Sequence, residues 1–231
     1  MKDVQNTQDT RNVDIQKVGI KHIELPLTIQ RKNKSDKVVY ATARVCVSLP
    51  RAYKGTHMSR FVEVLNEWRT NHLLGVDIKG CLEKIIKKLH AQSGELEFNF
   101  KYFIDKESPV TTLCPCSKEI SEYGAHNQRA MISVKISYKE SEHIWIEDLI
   151  ELIESCASCP LHPLLKRQDE KFVTERAYEN PKFVEDILRD VVVKLRNLKA
   201  VKSFEVDCEA FESIHNHSAW AYQSESLSDG V

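Results

Sequence analysis

From Val38 to Leu49 the chain alternates strictly. Val39, Ala41, Ala43, Val45 and Val47 share one phase, and Tyr40, Thr42, Arg44 and Cys46 share the other. Side chains of a strand point to opposite faces in turn, so this segment has one face to bury and one to leave wet. Val18 to Ile29 repeats the pattern, with Pro26 near its end, and the polar link Arg31–Asp36 joins the two. Together they predict a long hairpin with one apolar face. Such a face needs a cover.

The next segments supply it. Phe61, Val64, Leu65 and Trp68 recur at helical spacing within Met58–His72, and Leu82, Ile85, Ile86 and Leu89 line one face of a second helix closing near Gly94. Leu96, Phe98, Phe100 and Tyr102 then alternate as a third strand, and Ile132, Val134, Ile136 and Tyr138 as a fourth. The second half echoes this order. Trp145–Cys156 is amphipathic through Ile146, Leu149, Ile150 and Ile153, and a loop with Pro160 and Pro163 follows. Asn180 as N-cap and Pro181 at the first helical position predict a helix to about Leu198. Phe204, Val206 and Cys208 alternate as a further strand. Two strands, two helices and two strands in succession indicate an α+β fold with helices on one face of an antiparallel sheet, and the second copy is expected to share or lack some strands. The expected organisation is a flexible polar arm at 1–14, a first module at 15–106 and a second at 107–231.

Charge excludes more than it suggests. Thirty-three basic residues against 34 acidic ones give a net charge of −1, which offers no global attraction for nucleic acid or anionic lipid. No apolar run reaches the roughly 20 residues that span a bilayer, and Met1–Asp14 has no secretory apolar core. The expected compartment is the cytoplasm. Seven cysteines, an odd number, fit reduced thiols better than a secreted disulfide framework. Cys46, Cys81 and Cys208 fall in apolar patterns and read as buried small hydrophobes.

Reactive groups gather in Leu113–Arg129, which carries Cys114, Cys116, Glu119, Glu122 and His126 between Pro115 and Gly124. This segment is expected to be a loop between strands. Thiolate and imidazole both bind zinc-like ions, and a Cys beside a His can also be an activated nucleophile. Three further clusters are Lys166–Lys171, with Asp169 and Glu170 among basic residues, Glu179–Glu185, and Glu212–His217. On a strand, His215 and His217 would face the same side. Cys156 and Cys159 have Cys-X-X-Cys spacing and, with Cys114 and Cys116, would also make a structural zinc site in a non-enzymatic interaction module.

Five stretches carry a family resemblance. They are Cys114-Pro-Cys116-Ser-Lys-Glu, Tyr123-Gly-Ala-His-Asn-Gln-Arg129, Gly55-Thr-His-Met-Ser-Arg-Phe61, Asp169-Glu-Lys-Phe-Val-Thr174 and Glu179-Asn-Pro-Lys-Phe-Val-Glu-Asp186. Through them the chain resembles the type IB GTP cyclohydrolase I family from about residue 15 to 222. The resemblance implies a tunnelling fold, a homotetramer with active sites at subunit interfaces, and conversion of GTP and water to 7,8-dihydroneopterin triphosphate and formate. By motif match, Cys114, His126 and Glu170 would ligate a divalent ion (zinc, manganese or iron), and Glu185 would anchor the purine. His215 and His217 suit proton delivery to ring nitrogens. Lys54, Arg60, Lys166 and Arg167 are triphosphate candidates by charge, and Cys116 is either a further ligand or a proton-transfer thiol. A nitrile reductase of the same fold, with a nucleophilic Cys and NADPH, is the enzymatic alternative.

Overall fold

The computed structural model describes residues 4–5, 7–32, 34–69, 72–73, 75–102, 110–139 and 142–227. The chain divides into two compact units, Met1–Tyr102 and Phe103–Val231. The junction expected at 106/107 lies outside the described residues.

In the first unit, β1 (Ile15–Ile29) and β2 (Lys37–Leu49) form the expected antiparallel hairpin, with Leu25 opposite Ala41 and Leu27 opposite Val39. Helix α1 (Met58–Trp68) follows, then a two-residue strand β3 (His72–Leu73) that pairs parallel with β1. Helix α2 (Gly75–Lys88) leads into β4 (Gly94–Phe100), antiparallel to β2, so the sheet order is β3-β1-β2-β4. The apolar phase of β2 is buried, as are Phe61, Val64 and Leu65 of α1 and Cys81 and Ile85 of α2. Gly19 sits where the hairpin backbones nearly touch: a Cβ there would stand 2.0 Å from the Val45 carbonyl oxygen. Gln5, Thr7 and Asp9 are hydrogen-bonded to the segment after β2. Lys54 N–H donates to Thr7 C=O, Gly55 N–H to Gln5 C=O and Asp9 N–H to Ala52 C=O.

The second unit begins with β5 (Val110–Leu113), the short helix α3 (Pro115–Ile120) and β6 (Asn127–Tyr138). It continues through α4 (Ile146–Glu154), β7 (Cys159–Pro160), α5 (Arg167–Glu179), α6 (Val184–Arg196), β8 (Val201–Ala210) and β9 (Ala219–Ser226). Its antiparallel sheet has the order β7-β5-β6-β8-β9. Ile187, Val191 and Leu195 of α6 pack with Cys156, Phe204, Val206 and Cys208 into one core. Helix α6 therefore covers the apolar face of an antiparallel sheet, the α+β arrangement expected from the sequence.

Three expectations are corrected. The Cys114–Cys116 segment is not loop throughout: Pro115 opens α3 at its first position, where a missing N–H costs nothing. Asn180 does not cap α6. It ends α5, because the residue before a proline is pushed out of helical geometry, and α6 starts three residues later with Phe183 as N-cap. The Asp186 carboxylate accepts the Phe183 N–H at 3.0 Å. Finally, His215 and His217 stand on a bend between β8 and β9 and not on a strand.

Asn180 has a different task. Its side-chain N–H₂ donates to Ala157 C=O at 3.0 Å and to Ser158 C=O at 3.2 Å. Asn and Asp are equivalent as N-caps, so Asn180→Asp would be neutral if capping were its role. Here it removes both donors and sets a carboxylate against two carbonyls. We expect a loss of about 1–3 kcal/mol in urea unfolding, from two carbonyls left unpaired.

Candidate active site

Strand β5 delivers the chain to the site. Leu113 pairs with Asn127, and beyond that pair Cys114 N–H donates to His126 C=O at 3.1 Å, so the two residues lie across a closed ladder. Ser117 locks the turn from inside. Its hydroxyl donates to Cys114 C=O at 3.1 Å and accepts His126 N–H at 3.2 Å. Cys114 is also the N-cap of α3, its sulfur 3.5 Å from Ser117 N–H. Gly124, at φ 73°, makes the return bend in the left-handed region that a glycine adopts without strain.

A cleft of about 360 Å³ opens beside this turn, within the second unit. Cys114, Cys116, His126, Glu185, His215 and His217 all line it, together with Gln128, Lys182 and Glu212. Six residues expected from the sequence therefore meet on one surface of one chain. The His215 and His217 rings stack with centroids 5.0 Å apart, so they share a side although no strand sets their phase. Glu185 lies in the first turn of α6, exposed, and Lys182 is held by an ion pair with Asp190. The Cys114 turn and the His215 bend meet within a single chain.

The remaining expected residues lie elsewhere. Glu170, Lys166 and Arg167 are exposed at the start of α5, outside the cleft lining, on a helix that packs against β5. Lys54 and Arg60 belong to the first unit. Arg60 there donates to Lys88 C=O and lines a separate cleft with His57 and His90. Among the described residues, no three His, Cys, Asp or Glu side chains converge on a common point suited to a metal.

Sequence reasoning missed Gln128. Its clue was phase: it falls two residues before Ala130 and four before Ile132, a polar residue on the inward face of β6. Ser117 gave no such signal, since a serine in a polar segment is unremarkable until its hydroxyl is seen to hold both ends of the turn.

The other cysteines are chemically separate. Cys156 is fully buried and its thiol donates to Leu152 C=O at 3.2 Å, while Cys159 packs with Leu113 and Ala177. Burial raises the pKa of both thiols, and it pushes Cys81 up to about 11 and Cys208 up to about 12. A thiol must deprotonate to bind zinc, so Cys156 and Cys159 are poor partners for Cys114 and Cys116 in a four-cysteine site. All seven cysteines are free. Brief iodoacetamide treatment of the native protein at pH 8 is expected to label Cys116 and then Cys114, and to reach Cys81, Cys156, Cys159 and Cys208 only after unfolding. Peptide mass spectrometry checks the order, and early labelling of Cys156 would contradict it.

Comparison with known proteins covers nearly the whole chain. A family model described as type I GTP cyclohydrolase folE2 matches residues 1–112 and 107–221. Proteins named GTP cyclohydrolase FolE2 are similar over 96% of this chain. The one from Geotalea uraniireducens (strain Rf4) is 46% identical and covered over 92% of its length; that from Citrifermentans bemidjiense is 48% identical and covered over 93%. The Thermosipho africanus (strain TCF52B) protein is 45% identical and covered over 96%. A crystal structure of a highly active BTUO mutant overlays with a TM-score of 0.49 at 7% identity, covering 92% of this chain and 100% of that one. That likeness is too weak to carry an argument.

Proposed function

Because the chain belongs to the type I GTP cyclohydrolase FolE2 family, we propose that the Cys114–His126 cleft hydrolyses the guanine imidazole ring of GTP. The products are formate and 7,8-dihydroneopterin triphosphate, the start of folate-type pterin synthesis. The observation that carries this reading is the convergence of two thiols, three imidazoles and the Glu185 carboxylate on one cleft.

Opening that ring demands a nucleophile at C8 and protons for the departing nitrogens. The stacked His215 and His217 are placed to deliver protons, and a neighbouring thiol, Cys116, can take part in transfer. The Glu185 carboxylate can accept both the N1–H and the 2-amino group of guanine. Adenine lacks that donor pair. Lys166, Arg167, Lys54 and Arg60 remain the candidates for the triphosphate.

Two donors at the cleft, a thiol and an imidazole, suit a divalent zinc, manganese or iron ion. Cys114 offers sulfur at the cleft, and His126 has its Nδ1 3.0 Å from the Gln128 carbonyl oxygen, which leaves Nε2 for a ligand bond. Cys114 and His126 would hold the ion, and Glu170, which stands outside this cleft at the start of α5, is the third ligand that the family resemblance implies. When bound, it supplies Lewis acidity and lowers the pKa of water.

We also place the protein in the cytoplasm, which suits seven free thiols, and read it as a homo-oligomer, a tetramer by family resemblance. No helix among the described residues is long and apolar enough to cross a membrane. Among the described residues, β9 is the last strand of its sheet, and it carries Trp220 and Tyr222, 63% and 46% exposed. Strand edges of this kind are commonly covered by a partner. Sedimentation should give about four times 26.6 kDa; a monomer that turns over GTP would refute the assembly.

The direct test is incubation of metal-reconstituted protein with GTP, reading formate and, after oxidation, pterin fluorescence. NADPH consumption that survives exhaustive chelation would instead indicate the reductase alternative. Cys114→Ala and His126→Ala are each expected to lower metal content and abolish turnover with the fold intact by circular dichroism. Full metal occupancy in both variants would overturn the ligand assignment. Glu185→Gln should weaken GTP binding by about 1.5–3 kcal/mol, the worth of hydrogen bonds to a charged acceptor, while metal content stays unchanged. Wild-type affinity for GTP in that variant would contradict the anchor role.

A further inference from the structure

Gln128 is 9% exposed and lies between two parts of the cleft that are far apart in sequence. Its Oε1 is 3.0 Å from His126 Nδ1, and its Nε2 donates toward Glu212 Oε1 at 3.4 Å. The two contacts fix the orientation of the amide. Flipping it would set N–H₂ against the imidazole and a carbonyl oxygen against the Glu212 carboxylate. In the orientation seen, an acceptor faces Nδ1, an arrangement that favours a proton on that nitrogen. The Ser213 hydroxyl, 3.4 Å from the same nitrogen, can also accept.

The backbone holds this arrangement still. Gln128 pairs with Thr112 across β5 and β6, and Phe211 N–H donates to Arg129 C=O at 2.9 Å, fixing the chain just before Glu212. The backbone that carries the amide is therefore held between the strand that leads into Cys114 and the segment that leads into His215.

We propose that Gln128 is a positioning residue that holds His126 as the Nδ1–H tautomer and so presents an unprotonated Nε2 to the cleft. The role rests on the reading of His126 as a metal ligand. An imidazole binds a metal only through a nitrogen that carries no proton, and the hydrogen bond at the other nitrogen decides which one that is. Gln128 does not touch the substrate or the ion. It acts through His126, with Glu212 keeping the amide turned the right way.

The test needs no metal. Long-range ¹⁵N–¹H spectra of metal-free, ¹⁵N-histidine-labelled protein report the tautomer of each ring, and His126 is assigned from the signal lost in His126→Asn. The wild-type protein should show His126 as Nδ1–H. Gln128→Met, similar in length but unable to accept this hydrogen bond strongly, should move His126 toward Nε2–H and weaken Mn²⁺ or Zn²⁺ binding about 10- to 100-fold, the range seen when such outer partners are removed. Gln128→Glu keeps an acceptor beside Nδ1 and should retain the wild-type tautomer. An Nε2–H signal for His126 in the wild-type protein overturns the proposal even if the variants do not fold. So does an unchanged Nδ1–H signal in Gln128→Met. A wild-type Nδ1–H tautomer in a protein that binds no divalent ion would instead refute the metal reading and leave only the tautomer assignment standing.

Discussion

The register between β5 and β6 is the constraint on which the cleft depends. With Leu113 opposite Asn127, the next hydrogen bond falls between Cys114 and His126, and the intervening turn must close over Ser117. A slip of one residue would send Cys114 and Gln128 to opposite faces of the sheet. The register is in turn fixed by burial: Val110, Thr112, Gln128 and Ala130 all point inward. The chemistry at the surface is thus set by packing one layer below it.

Thr112 shows how tightly that layer is drawn. It is fully buried, and its hydroxyl has no hydrogen-bond partner among the described residues. A buried donor without a partner costs about 1–3 kcal/mol. The cost falls directly across the strands from Gln128, the residue that orients His126. The polar interior beside the cleft is therefore purchased with stability, which the large apolar core around α6 and β8 is able to supply.

Much of the fold was legible because its strands have one wet face. Alternation in β2, β6 and β8 is visible to the eye, and the helical spacing of Phe61, Val64 and Leu65 gives α1 directly. What was missed had weak or ambiguous signals. Strand β5 is four residues long, too short to establish a period. Helix α5 buries only Ala177 fully, so its apolar stripe is thin. In β9 the inward positions Ala219, Ala221 and Gln223 are small or polar and the outward ones include Trp220 and Tyr222, which inverts the usual pattern. Asn180-Pro181 was misread because the same dipeptide opens one helix or closes another, and only the following Phe183–Asp186 hydrogen bond separates the two. At the cleft, the residue types pointed to Cys114, His126 and the two later histidines. Gln128 acquires meaning only once His126 and Glu212 are seen on either side of it.

Asn180 has a consequence beyond the loop it holds. By joining the α5–α6 junction to Ala157 and Ser158, it ties the segment bearing Glu185 to the segment that pairs with β5. Lys182 N–H donates to Leu113 C=O at 3.0 Å and closes the same circuit one residue before Cys114. The backbone around the cleft is therefore ordered when the unit folds, before any ligand arrives. A site ordered in advance loses little conformational freedom on binding, so contact energy at Glu185 or the histidines is not spent on arranging the chain. Differences between ligands then reflect their contacts with these side chains, with little contribution from loop ordering.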